Sequence, residues 1–347
     1  MDINIISDIR DFKKIQMSWV NLFNSESYSV FQSFEFNYYS WKYELSKNRL
    51  NYLCIVVLND ALGVYSILPL YIDRNKVLRF INDDHADFCD FITREKINLS
   101  KVFNHLRSEV DFRFISLINV CIKSNAYEYF QDVNIKHKLF KIISEFSLLN
   151  IKQGDFPYNV PHYRSHQKNR INKAYKKHKD RQSVIFDCKE HMFPKKDILY
   201  LRDSMIENGI REYGFLTVDR LSLIEKMYNS GLVVLHFVKK GNRINACNIM
   251  IKSSSDQLMF WIDLYDDLQM INIFSYIVFI KNFSLDRPLC INFGRGRYFY
   301  KVSNFAPSFK NLYQICLFHN KWHRLRFMML DYIISLLKFI YKKIKKD

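Results

Sequence analysis

The order of helical and strand-like segments in the second half of the chain limits the possible folds more than any other feature. Apolar spacing predicts helices over 198–208 and 220–229 and strands over 232–239, 244–252 and 257–265. A helix from Asp266 to Phe279, introduced by two aspartates, and a strand that ends at Phe293 follow. The tight turn Lys240-Gly241-Asn242 joins the first two strands. Three successive strands with helices on either side predict an α+β fold built around an antiparallel meander.

The first half has a similar mixture of elements. The predictions are helices over 10–25, 33–46 and 97–109, a hairpin over 53–58 and 63–71, and strands over 114–120 and 140–146. Gly154, Pro157 and Pro161 then break the periodicity. We therefore predict an N-terminal half (1–150), a basic linker helix (151–181), a C-terminal half (182–318) and a tail (319–347).

Two glycines near the end of the second half mark a candidate ligand loop. Only eight glycines occur in 347 residues, and Gly294 and Gly296 stand one residue apart directly after a predicted strand. Glycine is favoured where the backbone takes positive φ or where another group approaches closely. Arg295, Arg297 and Lys301 make this loop cationic, which suits an anionic ligand. A hairpin corner with solvated arginines is the alternative.

The densest acidic segment, 82–90, lies in the first half. Asp84, Asp87 and Asp90 are candidates for binding a cationic amine or a metal ion. The alternative is a loop whose aspartates cap a helix. Since the segment lacks a recognisable set of metal ligands, we predict no metal site.

The formal charge of +17 favours an anionic partner, and no zinc-finger, helix-turn-helix or RNA-binding signature indicates nucleic acid. Arg164 to Arg181 is either a phosphate-binding helix or a solvated linker helix. Seven scattered cysteines without a C-x-x-C pair fit a reducing compartment, so we expect the cytoplasm.

Four segments in a fixed order resemble motifs of one family. Phe31 to Phe36 is similar to Phe-Gln-Ser-x-Glu-Trp, Asp84 to Phe91 to Ser-Asp-Tyr-x-Asp, Ser165 to Arg170 to Ser-x-Lys-x-Arg, and Asn292 to Lys301 to Phe-x-x-Gly-(Asp/Glu)-x-x-Tyr-Lys. The chain thereby resembles, over roughly residues 15 to 310, the acyl-CoA N-acyltransferase (GNAT) fold. The resemblance is to its branch of bacterial CelD-like acetyltransferases, which is related to the FemAB aminoacyltransferases.

The resemblance implies two GNAT-like halves, each a mixed, mostly antiparallel sheet flanked by helices. It also implies a cleft that holds acyl-CoA, with acetyl-CoA as the first choice, and an amine acceptor. Two departures stand out. Arg297 occupies the place of an acid, and Asn272-Ile273-Phe274-Ser275 replaces a glycine-containing turn before a helix.

The resemblance also assigns roles. Asp263 and Tyr265 end the strand beside the cleft, where Asp263 acts as base or orients the amine. Tyr300 is the candidate that protonates the leaving thiolate, and a tyrosine of the hydrophobic core is the alternative. The predicted cofactor-binding residues are Gly294, Arg295, Gly296, Arg297, Lys301 and Ser275, and the predicted acceptor-binding residues are Asp84, Asp87 and Asp90. The chain has no Gly-x-Ser-x-Gly elbow, so direct attack without a covalent enzyme intermediate is expected.

Three hypotheses of function follow. The first is N-acyl transfer from acyl-CoA to an amino sugar or an envelope polysaccharide precursor. The second is FemAB-type aminoacyl transfer from charged tRNA, with phosphate contacts from the basic helix. The third is a non-catalytic member of the fold that binds a membrane surface or a partner.

The C-terminal tail has apolar residues at helical spacing and ends in lysines. The apolar positions are Leu325, Met328, Met329, Tyr332, Ile333, Leu336, Leu337, Ile340 and Ile344. Asp331 and Lys338 interrupt them, and the run is shorter than the roughly 20 residues of a spanning helix. The tail is expected either to lie on the inner face of the membrane, where a lipid-linked acceptor would be reached, or to pack on the protein's own core.

Overall fold

A computed structural model describes residues 2–25, 28–132, 136–252 and 257–344. The predicted fold class is confirmed: the molecule is α+β, with mixed, mostly antiparallel sheets, flanking helices and a long C-terminal helix. Lys345 and Lys346 of the predicted tail lie outside the described residues.

The first half contains strands β1 to β9 and helices α1 to α5. The strands are Asp2–Ile6, Tyr52–Leu53, Ile55–Asp60, Gly63–Leu68, Leu70–Ile72, Val77–Phe80, Ile92–Thr93, Phe114–Cys121 and Lys138–Ile151, and the helices are Ile9–Lys14, Gln16–Asn24, Phe34–Tyr43, Leu99–Glu109 and Asn125–Asp132. Ser33 begins α3, since its hydroxyl accepts the N–H of Phe36 at 3.1 Å. The predicted cap is therefore confirmed.

The second half contains α6 to α11 and β10 to β15. The helices are Ser165–His178, Lys195–Glu207, Val218–Asn229, Ile271–Ser284, Phe299–Phe305 and Lys321–Ile344, and the strands are Gln182–Phe186, Val233–Lys240, Arg243–Lys252, Gln257–Tyr265, Leu289–Arg295 and Ser308–Phe318. The predicted meander, β11 to β13, is confirmed.

The start of α9 differs from the sequence prediction. Asp266 is buried and accepts the amide of Asn245 at 2.8 Å, and the helix begins only at Ile271, after Met270 in the left-handed region with φ 69°. The segment compared with a glycine-containing turn, Asn272 to Ser275, therefore lies inside the helix. Met270 takes the left-handed backbone conformation that a glycine normally takes.

One large sheet runs through both halves. Among the described residues its order is β10-β11-β12-β13-β14-β9-β15-β8-β6-β5-β2, and a smaller sheet has the order β1-β3-β4-β7. Strand β15 comes late in the chain but lies between β8 and β9 of the first half. The two halves are therefore joined by continuous backbone pairing, and the division near residue 150 stays a prediction.

Strands β13 and β14 create the opening that positions the candidate site. They pair in parallel only between 257–259 and 290–292, and their carboxyl ends then separate. In the pairing of β12 with β13 the register shifts so that Trp261 is an extra residue, which is the pattern of a β-bulge. The bulge and the separation leave a cleft between the carboxyl ends of the two strands.

The C-terminal helix α11 contacts the body through few side chains. The ring of Phe327 packs on Phe114 and Phe318, with centroid distances of 5.6 and 5.3 Å, and Asp331 pairs with Lys141 at 2.5 Å. Within the part of the chain that the structure describes, no helix combines the length and the apolar character needed to cross a bilayer.

Candidate functional site

Six of the predicted site residues line one cleft of about 410 Å³, between the separated ends of β13 and β14. They are Asp87, Asp263, Tyr265, Arg295, Tyr300 and Lys301. A cavity of about 470 Å³ near the start of β14 contains none of the predicted residues. The cleft between the strand ends is therefore the candidate site.

Asp263 is the most unusual carboxylate in the cleft. Its Oδ2 accepts a short hydrogen bond from the hydroxyl of Tyr276, on α9. Its Oδ1 is buried and has no hydrogen-bond partner among the described residues. Burial raises the pKa of Asp263 above its ordinary value, and the Tyr276 hydroxyl, Lys301 and Arg211 oppose that rise. A carboxylate with a raised pKa and one unoccupied oxygen is suited to accept a proton.

Two tyrosines extend from Asp263 along the wall of the cleft. The hydroxyl oxygens of Tyr276 and Tyr300 are 3.4 Å apart, and the rings stack at a centroid distance of 6.1 Å. Because the Tyr276 proton points to Asp263, Tyr276 accepts from Tyr300 in this arrangement. Burial raises the pKa of Tyr300, so its hydroxyl keeps its proton at neutral pH.

The Lys301 side chain is buried and forms hydrogen bonds to the backbone of the glycine loop. Its ammonium group donates to the carbonyl oxygens of Gly294, Arg295 and Gly296 at 3.2, 3.0 and 3.2 Å, and the residue is 2% exposed. Burial lowers the pKa of Lys301 to about 8, against the opposing charges of Asp87 and Asp263. An ammonium group has three protons, and here each faces a carbonyl. Phosphate binding by Lys301 stays a prediction.

Asp87 connects the acidic segment of the first half to the glycine loop of the second. Its Oδ2 accepts the backbone N–H of Arg295 at 2.9 Å, and its Oδ1 lies 3.6 Å from Nε of the same arginine. The Arg295 guanidinium also donates to the carbonyl of Asp84 at 2.8 Å. The two segments that the sequence marked separately therefore meet at one side of the cleft.

The other predicted residues lie outside the cleft lining. The Asp84 carboxylate pairs with Arg79 at 3.0 Å, and Arg297 pairs with Glu145 at 2.8 Å. Ser275 is buried in α9 and donates to the carbonyl of Asn272 at 2.7 Å. Gly296 does not line the cleft, whereas its neighbour Arg295 does.

The Asp90 carboxylate accepts hydrogen bonds from three backbone N–H groups. It accepts the N–H groups of Phe91, Asn125 and Ala126 at 2.8, 3.0 and 2.8 Å, which satisfies free donors at the start of α5. We therefore expect Asp90→Ala to lower the free energy of unfolding by about 1–2 kcal/mol, because a helix cap is lost. Urea titration measures this, with Asp11→Ala on the exposed surface of α1 as control. An unchanged midpoint for Asp90→Ala would contradict the capping role.

Several cleft residues were not predicted from the sequence. They are Arg211 and Phe215 in the loop between α7 and α8, Trp261 at the bulge, and Tyr298 after the glycine pair. Tyr276, which is buried behind the cleft lining and donates a hydrogen bond to Asp263, was not predicted either. Tyr276 stands in a mostly buried helix, and a tyrosine there is unremarkable in a chain with 22 of them. Among the described residues, no group of three or more histidine, cysteine, aspartate or glutamate side chains is placed to hold a metal ion.

Comparison with known proteins identifies the fold. No family model matches the chain, and no curated protein does. The chain is similar to the C-terminal domain of a putative lysylphosphatidylglycerol synthetase from Agrobacterium fabrum, with 9% identity, 92% of this chain and 96% of that one covered, and a TM-score of 0.57.

Two further solved structures are similar over most of their length. A conserved protein of unknown function from Bacteroides thetaiotaomicron has 13% identity, covers 91% of this chain and 100% of its own, and gives a TM-score of 0.59. L-PGS from Bacillus licheniformis has 11% identity, with 77% of this chain and 85% of that one covered, and a TM-score of 0.53. At these identities the likeness establishes the fold.

Proposed function

We propose that the protein is an N-acyltransferase that moves an acyl group from acyl-CoA to an amine by direct attack in the cleft. The unoccupied Oδ1 of Asp263, beside the separated ends of β13 and β14, is the observation that carries this proposal. The resemblance to CelD-like acetyltransferases supports it, and we propose membership in that branch.

The reaction requires an uncharged amine, so the ammonium form first releases one proton to solvent. Asp263 is placed to take the second proton, which the nitrogen loses as the amide forms. The amine nitrogen attacks the thioester carbon, and the nitrogen–carbon bond forms as the carbon–sulfur bond breaks. Asp263 Oδ1 takes the proton that the nitrogen loses, while Tyr276 fixes the other oxygen. A positioned base of this kind typically contributes about a hundredfold or more to the rate.

The sulfur leaves as a thiolate, which needs a proton. The Tyr300 hydroxyl lines the cleft, and rotation of its O–H bond away from Tyr276 turns the proton toward the substrate. The Arg211 and Arg295 guanidinium groups, also in the lining, are cations suited to an anionic substrate group.

A second candidate is aminoacyl transfer from charged tRNA. Helix α6 favours it, because the Arg170 guanidinium lies 5.7 Å from the ring of Phe299, directly before Tyr300. Lys168, Lys173 and Lys176 add positive charge to the same helix. Phosphate contacts from such a helix would depend strongly on salt.

The acceptor and the compartment belong to the same proposal. An amino sugar or an envelope polysaccharide precursor presents the required amine. All seven cysteines lie in described residues and have free thiols, which supports a reducing, cytoplasmic setting. The third hypothesis, a non-catalytic member of the fold, predicts that no acyl donor is consumed.

Binding of acyl-CoA tests the donor. We expect acetyl-, succinyl- or butyryl-CoA at millimolar concentration to raise the melting temperature, because a ligand that binds only the native state stabilises it. Calorimetry with free CoA as competitor measures the same site. Absence of heat with all three donors, together with salt-sensitive binding of charged tRNA in a mobility-shift assay, would replace this proposal with the second candidate.

A further inference from the structure

The C-terminal helix α11 exposes a row of apolar side chains. Trp322, Met329 and Tyr332 are 78, 65 and 70% exposed, and Ile333 and Leu336 are about half exposed. These five residues, together with Leu325, form what we call the outer face of α11. Exposed apolar surface of this extent on a soluble molecule marks a site of interaction.

Contacts with the body fix the direction of the outer face. Phe327 packs on Phe114 and Phe318, and Asp331 pairs with Lys141, so these two residues of α11 point toward the sheet. At 3.6 residues per turn, Met329 and Leu336 lie about 160–180° around the helix from Phe327. The helix therefore contacts the body through Phe327 and Asp331 and leaves the outer face on the opposite side, away from the sheet.

The charge around the outer face selects the kind of partner. The segment 321–347 contains eight lysines and arginines against two aspartates: Lys321, Arg324, Arg326, Lys338, Lys342, Lys343, Lys345 and Lys346, with Asp331 and Asp347. Two copies of this segment would repel each other across a shared interface. An exposed apolar face on a segment with an excess of cations is complementary to a bilayer whose headgroups are anionic.

We propose that α11 is a membrane-docking helix that lies in the plane of an anionic lipid surface with its outer face buried among the acyl chains. The chain as a whole, with a formal net charge of +17, then approaches a negatively charged surface. This inference is independent of the acyl donor, because it concerns residues that line no part of the cleft.

Flotation with vesicles tests the proposal on the full chain. Vesicles of phosphatidylcholine and phosphatidylglycerol in equal parts, at low salt, are expected to carry most of the protein, and pure phosphatidylcholine vesicles little. Trp322→Glu combined with Met329→Glu should lower the bound fraction at least tenfold. Leu62→Glu combined with Met192→Glu is the matched control, because it makes the same charge change at residues 83 and 92% exposed elsewhere.

The outcomes separate the possible partners. Equal flotation of the outer-face variant and the wild type, or no binding to the anionic vesicles at low salt, would overturn the proposal. A concentration-dependent dimer in sedimentation, abolished by the outer-face variant, would overturn it too, in favour of a second copy. Acyl-CoA binding measured on the same variants should not change, so failure here leaves the proposed activity standing.

Discussion

Asp263→Asn is expected to lower turnover at least a hundredfold while the protein stays folded, because an amide does not accept the proton of the attacking amine. Asparagine has the same shape, and its amide oxygen can still accept the hydrogen bond from Tyr276. Asp11→Asn, on the exposed surface of α1, should retain wild-type turnover. The measurement is the rate of free thiol release from acyl-CoA with the best amine found in a screen, alongside the melting temperature.

The pH dependence distinguishes a base from a merely structural carboxylate. Asp263 acts only when ionised, and burial raises its pKa above the ordinary value of 3.8, so kcat/KM should rise with pH through that raised pKa. The rising limb should be absent from the residual activity of Asp263→Asn. Tyr276→Phe should shift the limb to higher pH, because the carboxylate loses the hydrogen bond that favours its charged form. Wild-type turnover in Asp263→Asn would exclude Asp263 as the base.

The meander of the second half could be predicted because its strands form by local signals. Apolar runs over β11 to β13 and the turn at Gly241 determine which neighbours pair, and sequence neighbours do pair. Strand β15 was not predicted, since its position between β8 and β9 depends on pairing with residues nearly 200 positions away. Its sequence, with Lys310, Asn311 and Gln314 among apolar residues, has no strict alternation.

Asp263 was selected from the sequence because it ends the strand that the family resemblance places beside a cleft, and the structure places it in the lining of the candidate cleft. The acidic segment shows the limit of the same reasoning. Asp87 and Asp90 are three residues apart and chemically identical, yet one holds Arg295 beside the cleft and the other caps α5. Only the tertiary positions of β14 and α5, which the segment itself does not encode, separate the two roles.

Lys301 shows that residue type predicts charge but not the partner of that charge. A lysine after a glycine pair suggests phosphate, whereas the structure directs its ammonium group to three carbonyls of the same loop. The loop closes over Lys301 because Gly294 and Gly296 both take positive φ, which turns their carbonyls to one side. The cleft wall is thus built by the glycines and the lysine together.

Gly294→Ala should therefore lower the stability of the protein strongly. Its φ is +71°, and an added Cβ would lie 2.6 Å from Asp87 Oδ2 and 3.3 Å from the carbonyl oxygen of Phe260. Gly154→Ala is the matched control, because Gly154 has the same φ and nothing lies within 4 Å of its Cβ position. The control should lower the free energy of unfolding by about 1–2 kcal/mol, because alanine is strained in the left-handed region.

The difference between the two variants isolates the collision with Asp87. We expect Gly294→Ala to cost about 2 kcal/mol more than Gly154→Ala in urea unfolding, as overpacking in a close-packed site does. It should also lower turnover, because displacement of Asp87 releases the backbone N–H of Arg295 and moves the loop that borders Asp263. Equal midpoints for the two alanine variants would show that Asp87 moves freely. The hydrogen bond between Asp87 and the Arg295 N–H would then have no part in shaping the cleft.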